Sequence, residues 1–275
     1  MDKRILIAGG AIMFLLLVWV LLPKGKISKT GDAQISSSPA SPSAKELYNE
    51  AVHYRKDRDL VKAKEMYQEI LKNHPETENA AAVQEDLGKL NLELILSNTT
   101  VPDKTVNYEV VAGDVLAKIA KKFNTTVDLI KVRNNLKSDT IRLGQKLSIW
   151  TGTFNIIVDK SQNVLILKDG NDIVKVYNVS TGENNSTPVG KFKIISRLID
   201  PVWFHRGIVV PPESPDNVLG TRWLGFDIPG YGIHGTVDPE SIGKQVTAGC
   251  VRMRNEEIEE LFNMIPMGTE VVIVD

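Results

Sequence analysis

The 275-residue sequence predicts a multidomain α+β protein with helices near the N-terminus, a small βααβ module and a β-dominated C-terminal domain. Apolar residues recur at helical spacing in residues 44–97, two short helical stretches lie between strands in 108–150, and short strands separated by turn signals fill 154–275. Hydrophobic residues make up 42% of the chain and charged residues 24%. This composition excludes a mainly disordered chain and a multi-span membrane protein.

The charge balance and the cysteine count exclude further classes of protein. Lysine and arginine total 33, aspartate and glutamate 34, and the net charge of −1 argues against a nucleic-acid partner. Because Cys250 is the sole cysteine, the sequence allows no internal disulfide and no thiolate zinc cluster. Cys250, His234 and His205 are too few and too scattered for a zinc site, so we expect no metal and no cofactor.

The N-terminal residues 1–26 predict a membrane-anchor helix. Residues 5–22 form an uncharged, mostly apolar run of 18 residues, whose helical length of about 27 Å matches a bilayer core. A cleaved signal peptide is the alternative, but the run is long for one and ends without a small-residue cleavage site. Residues 27–43 are rich in serine and proline and predict a linker. We therefore expect the remaining chain outside the cytoplasm, tethered to the membrane or secreted.

Residues 44–97 predict three helices, the second of which ends before Pro75 and the third of which covers about 79–96. The spacing resembles one tetratricopeptide repeat at Leu47, Ala51, Tyr54, Ala63, Tyr67, Ile70 and Pro75. Stable arrays usually need about three repeats. A helical spacer or oligomerisation element is therefore the preferred interpretation, and a groove for a protein partner is the alternative.

Residues 108–150 predict strand 108–111, helix 115–123, helix 127–133 and strand 145–150, with the helices capped by turns at 112–114 and 124–126. The stretch YEVVAGDVLAKIAKKFNTTVDLIKVRNNLKSDTIRLGQKLSIW resembles a LysM module along its whole length. The resemblance implies binding of N-acetylglucosamine-containing glycans between two loops, and a module that merely spaces is the alternative. The implied glycan-binding residues are Gly113, Asp114, Val115, Leu116, Asn135, Leu136 and Ile141.

Residues 154–275 predict strands at 154–159, 164–168, 173–179, 191–196, 231–233 and 270–274, and a helix with Asn255 as its cap and an apolar face through Ile265. Many short strands with turn signals favour a β-dominated sandwich or a barrel-like domain.

Catalytic chemistry is predicted around Cys250. His234 lies sixteen positions upstream and could serve as the base that a thiol nucleophile needs. The backbone N–H groups of Ala248, Gly249 and Cys250 could stabilise an oxyanion. A buried, unreactive cysteine and a core histidine are the alternatives that the residue types alone leave open.

The C-terminal domain resembles the L,D-transpeptidases in the strings His234-Gly235-Thr236 and Thr247-Ala248-Gly249-Cys250-Val251-Arg252. The resemblance implies that Cys250 attacks a peptidoglycan stem peptide, releases D-alanine as a thioester forms, and passes the acyl group to an amine to give a 3→3 cross-link. It implies that His234 is the general base and that the Gly235 carbonyl orients its ring. Water as acceptor would make the protein an L,D-carboxypeptidase.

The residues expected to bind substrate are Arg252, Thr247, Thr236, Trp223, Trp203 and His205. Arg252 would hold a carboxylate, and the two tryptophans and His205 would cover the groove. Ala248 stands where many relatives carry histidine or arginine, which leaves an inactive peptidoglycan-binding protein as a further alternative. The expected partners are thus peptidoglycan glycan strands and stem peptides, together with the membrane.

Overall fold

The computed structural model describes residues 41–205 and 207–275, so the anchor predicted over 1–26 and most of the linker predicted over 27–43 lie outside the described residues. Within the described part, no helix is both long enough and apolar enough to cross a membrane. The chain divides into two compact units, Met1–Glu85 and Asp86–Asp275. The boundary falls inside a helix that the sequence placed wholly in the N-terminal helical segment.

The first unit contains helices α1 (Ala44–Lys56) and α2 (Leu60–Asn73). Ser43 and Glu46 form a reciprocal capping box at the start of α1, which satisfies two backbone N–H groups there. The predicted apolar stripes are the buried faces of the two helices. The two helices and the following α3 (Ala80–Leu96) confirm the helical prediction, and the partner groove stays a prediction.

The second unit begins with the end of α3 and the βααβ module. This module comprises β1 (Thr105–Glu109), α4 (Leu116–Lys122), α5 (Val127–Arg133) and β2 (Lys146–Trp150), with β1 and β2 antiparallel. Its core consists of the buried side chains Val110, Leu116, Ile119, Ala120, Ile130, Leu147 and Ile149.

The cap predicted for the first helix of this module is wrong. Val115 precedes α4 without a side-chain cap, because the Asp114 carboxylate instead accepts hydrogen bonds from the Tyr108 hydroxyl at 2.8 Å and the Val111 N–H at 2.9 Å. The cap predicted for the second helix is confirmed, since Thr126 Oγ1 accepts from the Leu129 N–H at 2.8 Å.

The strands and the helix of the C-terminal domain are β3 (Phe154–Asp159), β4 (Val164–Asp169), β5 (Asp172–Asn178), β6 (Thr181–Gly182), β7 (Gly190–Ile199), β8 (Trp203–His205), β9 (Ile208–Val210), β10 (Arg222–Phe226), β11 (Gly232–His234), β12 (Gln245–Thr247), β13 (Val251–Arg252), α6 (Asn255–Met264) and β14 (Glu270–Val274). Eight of these strands form one arrangement ordered β13-β11-β10-β7-β14-β3-β4-β5. The ten-residue strand β7 pairs with β14 through its first half and with β10 through its second half, so it passes from one sheet of the sandwich to the other. The further pairs are β6 with β12 and β8 with β9.

Helix α3 covers the edge strand β5 of this arrangement. The Asn91 side-chain amide, which is 4% exposed, donates to the carbonyls of Ile173 at 3.3 Å and Val174 at 3.1 Å. Covering an edge strand in this way satisfies backbone groups that could otherwise pair with another chain.

The βααβ module is docked on the C-terminal domain through α5 and α6. Thr126 Oγ1 donates to the Asn263 carbonyl, and Arg197 forms an ion pair of 2.7 Å with Asp128 while donating to the Phe262 carbonyl at 2.7 Å. Two of the last carbonyls of α6, those of Phe262 and Asn263, are thereby satisfied.

Candidate active site

Strand pairing places His234 and Cys250 on neighbouring segments of the sheet. The parallel strands β11 and β13 place Ile233 opposite Val251 and His234 opposite Arg252. In this register Cys250, which immediately precedes β13, lies next to Gly232. The two residues that are sixteen positions apart in the sequence are therefore held on adjacent strands.

His234 is 3% exposed, and its ring is fixed on two sides. Its Nδ1 lies 2.6 Å from the Gly235 carbonyl oxygen. Because a carbonyl can only accept, Nδ1 carries the proton and Nε2 is the basic nitrogen. The Trp223 ring stacks on the imidazole with centroids 6.0 Å apart and an interplanar angle of 17°. Burial lowers the pKa of His234 to about 4, although the hydrogen bond to Gly235 opposes this shift.

Cys250 is partly exposed, and its Sγ donates to the Gly230 carbonyl at 3.4 Å. Burial raises the pKa of this thiol, while a hydrogen bond from the Gly232 backbone and the charge of Arg252 act in the opposite direction. A raised thiol pKa beside a lowered imidazole pKa means that the resting pair is a neutral thiol and a neutral base.

Gly249 is required by the tight packing behind Cys250. Its φ is +130°, and a Cβ there would lie 2.7 Å from Tyr231 Cε1 and 3.2 Å from the Ser186 carbonyl oxygen. The Gly249 N–H donates to Thr247 Oγ1 at 3.2 Å, and that hydroxyl donates to the Cys250 carbonyl at 2.6 Å. The Gly249 N–H thus already has a partner inside the turn, and the oxyanion role of Gly249 stays a prediction.

Thr236 and Thr247 do not present their hydroxyls to a substrate, which corrects the prediction made for them. Both are buried. Thr236 Oγ1 bonds to the backbone of Asp238, accepting from its N–H at 2.9 Å and donating to its carbonyl at 3.2 Å. Thr247 is occupied by the bonds described above. Both hydroxyls therefore stabilise turns.

Arg252 lies beside the nucleophile. Its Nη1 donates to Ser241 Oγ at 2.9 Å, and its buried Nε has no hydrogen-bond partner among the described residues. Its backbone exchanges two hydrogen bonds with Ser180, which fixes the start of the side chain. Burial lowers its pKa from the usual value for arginine, opposed by Asp238 and Cys250. The guanidinium is thus only partly satisfied by protein groups.

The three residues predicted to cover the groove have different locations. Trp223 belongs to β10, a strand that was not predicted, and contacts His234 directly instead of forming a lid. Trp203 and His205 lie on β8, where they pair with Val210 and Ile208 of β9. No strand pairing recorded for the described residues joins this hairpin to His234 or Cys250.

Asn255 is the main site residue that the sequence did not reveal. It was predicted to cap the last helix, but the cap position is Arg254, and the Asn255 side chain faces the turn after His234. A polar residue at the start of an amphipathic helix looks the same in the sequence whether it caps the helix or bonds to a neighbouring turn. Tyr231 was also missed, and its position between two glycines was the available signal.

In the βααβ module, the chain segments next to the two loops predicted to bind glycan are paired, because Val110 exchanges backbone hydrogen bonds with Gly144 and Gln145. Leu116 is 2% exposed and packs in the core, so only its backbone can face a ligand. Leu136 and Ile141 also pack against that core. A pocket of about 760 Å³ lies on the second loop and extends beyond the predicted range, lined by Ser138, Thr140, Arg142, Leu143, Gly144 and Gln145.

The described residues contain no group of three or more histidine, cysteine, aspartate or glutamate side chains that could hold a metal ion.

Comparison with known proteins identifies both modules. Residues 153–273 match the L,D-transpeptidase catalytic domain, and residues 108–150 match the LysM domain. Two Bacillus subtilis proteins that carry the L,D-transpeptidase name are similar to this chain. YqjB is 44% identical over 126 residues, which are 44% of this chain and 70% of YqjB. YkuD is 33% identical over 176 residues, which are 61% of this chain and 98% of YkuD.

The chain belongs to the L,D-transpeptidase family. Solved structures with the same family name are more distant. An L,D-transpeptidase from Mycobacterium smegmatis has 18% identity and a TM-score of 0.39, with 48% of this chain and 64% of that chain covered. The catalytic domain of the E. faecium L,D-transpeptidase has 21% identity and a TM-score of 0.36, with 45% of this chain and 98% of that chain covered. This chain thus spans slightly less than two thirds of the mycobacterial chain.

Proposed function

We propose that this protein is a peptidoglycan L,D-transpeptidase that forms 3→3 cross-links through a Cys250 thioester. The observation that supports this most directly is the 2.6 Å hydrogen bond from His234 Nδ1 to the Gly235 carbonyl. It leaves Nε2 as the base of the ring on the strand next to Cys250. The Gly235 carbonyl would orient the imidazole ring, as a carboxylate does in a Ser-His-Asp triad.

In the acylation step, Nε2 of His234 takes the thiol proton as Sγ attacks the carbonyl carbon between the third residue of a stem peptide and its terminal D-alanine. The carbon–sulfur bond forms, the carbon–nitrogen bond breaks, and the proton on His234 passes to the leaving amine. Since burial raises the pKa of the Cys250 thiol and lowers that of His234, the thiol proton must be transferred to His234 during acylation to produce the nucleophilic sulfur.

In the second step, the amine of another stem peptide attacks the thioester. His234 accepts a proton from this amine as the carbon–nitrogen bond forms. The carbon–sulfur bond then breaks, and His234 passes the proton to the leaving sulfur, which restores the thiol of Cys250. Backbone N–H groups of Ala248 and Cys250 remain candidates for stabilising the oxyanion in both steps. Arg252, whose Nε has no partner, is the candidate for holding a substrate carboxylate.

The LysM module would bind the glycan strands of the same polymer and hold the enzyme at the cell envelope, outside the cytoplasm. The pocket lined by residues 138–145, next to the backbone pairing of Val110 with Gly144 and Gln145, supports this role. Because the module is docked on the catalytic domain through Arg197 and Asp128, a bound glycan would raise the local concentration of stem peptides near Cys250.

The proposal is tested by intact mass measurement of the full-length chain with a tetrapeptide stem, alongside Cys250→Ala. We expect a Cys250-dependent thioester adduct, free D-alanine and a cross-linked dimer of stem peptides. Tripeptide and D-alanine without dimer would make the protein an L,D-carboxypeptidase. A folded protein that binds peptidoglycan but forms no adduct and releases no D-alanine would refute the enzymatic proposal.

A further inference from the structure

Asn255 holds the peptide unit that orients His234. Its side-chain oxygen Oδ1 accepts from the Thr236 N–H at 3.0 Å and from the Thr221 N–H at 3.2 Å. Two N–H donors face the same atom, so this atom is the oxygen of the amide and not its nitrogen. The side chain therefore joins the turn before β10 to the turn that follows His234.

The packing around this oxygen is tight. A Cβ on Gly235 would lie 2.2 Å from Asn255 Oδ1, and a Cβ on Gly220 would lie 2.3 Å from it. Both positions therefore need glycine for a reason besides backbone conformation. The oxygen fills the space that side chains at these two positions would occupy.

The planarity of the peptide bond connects Asn255 to the catalytic base. The Thr236 N–H and the Gly235 C=O belong to one peptide unit, whose atoms are held close to a plane. A hydrogen bond that fixes the N–H therefore also fixes the direction of the C=O. That carbonyl accepts the Nδ1 proton of His234 at 2.6 Å and so selects the tautomer with a basic Nε2.

We infer that Asn255 is a positioning residue for the reaction, acting through the Gly235–Thr236 peptide to keep His234 in its basic-Nε2 tautomer. This inference rests on the proposed function for its kinetic consequences, although the tautomer itself can be measured without turnover. The helix supports the arrangement, because Asn255 is the first residue of α6 and is anchored by the buried face of that helix.

The test uses the full-length chain with Asn255→Ala, which removes the oxygen, and Asn255→Asp, which retains an acceptor at the same place. A carboxylate is also favourable at a helix N-terminus, so Asn255→Asp should fold. Asn91→Ala is the matched control, since Asn91 is a buried asparagine that also makes two backbone hydrogen bonds, but to strand β5. Asn255→Gln, which displaces the amide oxygen, replaces Asn255→Ala if the latter does not fold.

The first readout is the ¹⁵N NMR signature of the His234 ring at pH 7. We expect the Nδ1–H tautomer in the wild type, in Asn255→Asp and in Asn91→Ala, and a mixture of tautomers in Asn255→Ala. The second readout is D-alanine release, for which Asn255→Ala should lower kcat about 10- to 100-fold while KM changes little, as small misplacements of catalytic groups do. Asn255→Asp should recover most of this loss.

An unchanged tautomer and an unchanged kcat in Asn255→Ala, with a loss of stability like that of Asn91→Ala, would overturn the inference. A wild-type protein without D-alanine release would instead contradict the proposed function. In that case the NMR readout alone would still decide the role of Asn255.

Discussion

Replacing Arg133 should destabilise the second compact unit strongly. This arginine ends α5 of the LysM module and is 0% exposed. Its Nη1 donates to the carbonyls of Leu94, at 2.9 Å, and Ile95, in the last turn of α3. Its Nη2 donates to the Thr99 carbonyl at 3.1 Å and to Ser148 Oγ at 2.9 Å. One side chain thus ties the end of α3 to the LysM module.

The magnitude follows from these bonds and from the cost of burial. Hydrogen bonds to a charged group contribute about 2 kcal/mol each. Burial lowers the pKa of Arg133 to about 10, which corresponds to an opposing cost of about 3 kcal/mol. We therefore expect Arg133→Met to lower the free energy of unfolding by about 4–5 kcal/mol. Arg133→Lys should recover only part of this, because an ammonium cannot reach four acceptors in the fork geometry of a guanidinium.

Urea unfolding followed by tryptophan fluorescence measures this change, since the guanidinium carbon of Arg133 lies 5.2 Å from the centre of the Trp150 ring. Arg142→Met is the control, because Arg142 is an exposed arginine of the same module and should change stability by less than about 0.5 kcal/mol. If Arg133→Met lowered the free energy of unfolding by less than about 1 kcal/mol, the hydrogen bonds would not have the strength assigned to them.

Three further predictions concern pH, docking and glycan binding. Burial lowers the pKa of His234 to about 4, whereas its pKa in the unfolded chain is about 6.5. Between these two pH values the unfolded chain binds a proton at His234 and the folded chain does not, so stability falls as the pH is lowered. Relative to His234→Asn, the wild type should therefore lose about 3 kcal/mol of stability between pH 7 and pH 4, as measured by urea unfolding at each pH; a difference that is constant with pH would contradict this. Arg197→Asp should reduce cross-linking of intact peptidoglycan several-fold and leave cross-linking of a soluble stem peptide unchanged. Adding Asp128→Arg to the same chain should restore the activity on intact peptidoglycan. An equal loss on both substrates would show that the ion pair serves the active site instead. Leu143 is 75% exposed and lines the pocket of the LysM module. Leu143→Asp should therefore weaken the affinity for peptidoglycan, measured by pull-down, about tenfold without changing the thermal midpoint of unfolding. Unchanged binding would place the glycan elsewhere.

Local patterns were sufficient to predict most helices and strands. Apolar spacing predicted α1, α2, α3 and α6, because a helix that buries one face must repeat its apolar residues every three or four positions. The Asp169-Gly170 turn predicted the β4–β5 hairpin, where Gly170 adopts a φ of +61°. The strands β8, β9 and β10 were not predicted as strands, and β8 and β9 each have only three residues, too few for alternation to be visible.

The thiol, the imidazole and the glycines beside them could be identified from residue order, because their chemistry is a local property of the chain. How these groups are used depends on the fold. The parallel register of β11 and β13 places His234 on a segment next to that of Cys250, and the turn around Thr247 occupies the Gly249 N–H. Asn255 reaches the turn after His234 because α6 packs against β10 and β11. These contacts join residues far apart in the chain, so they form only when the strand register and the helix position of the whole fold are set.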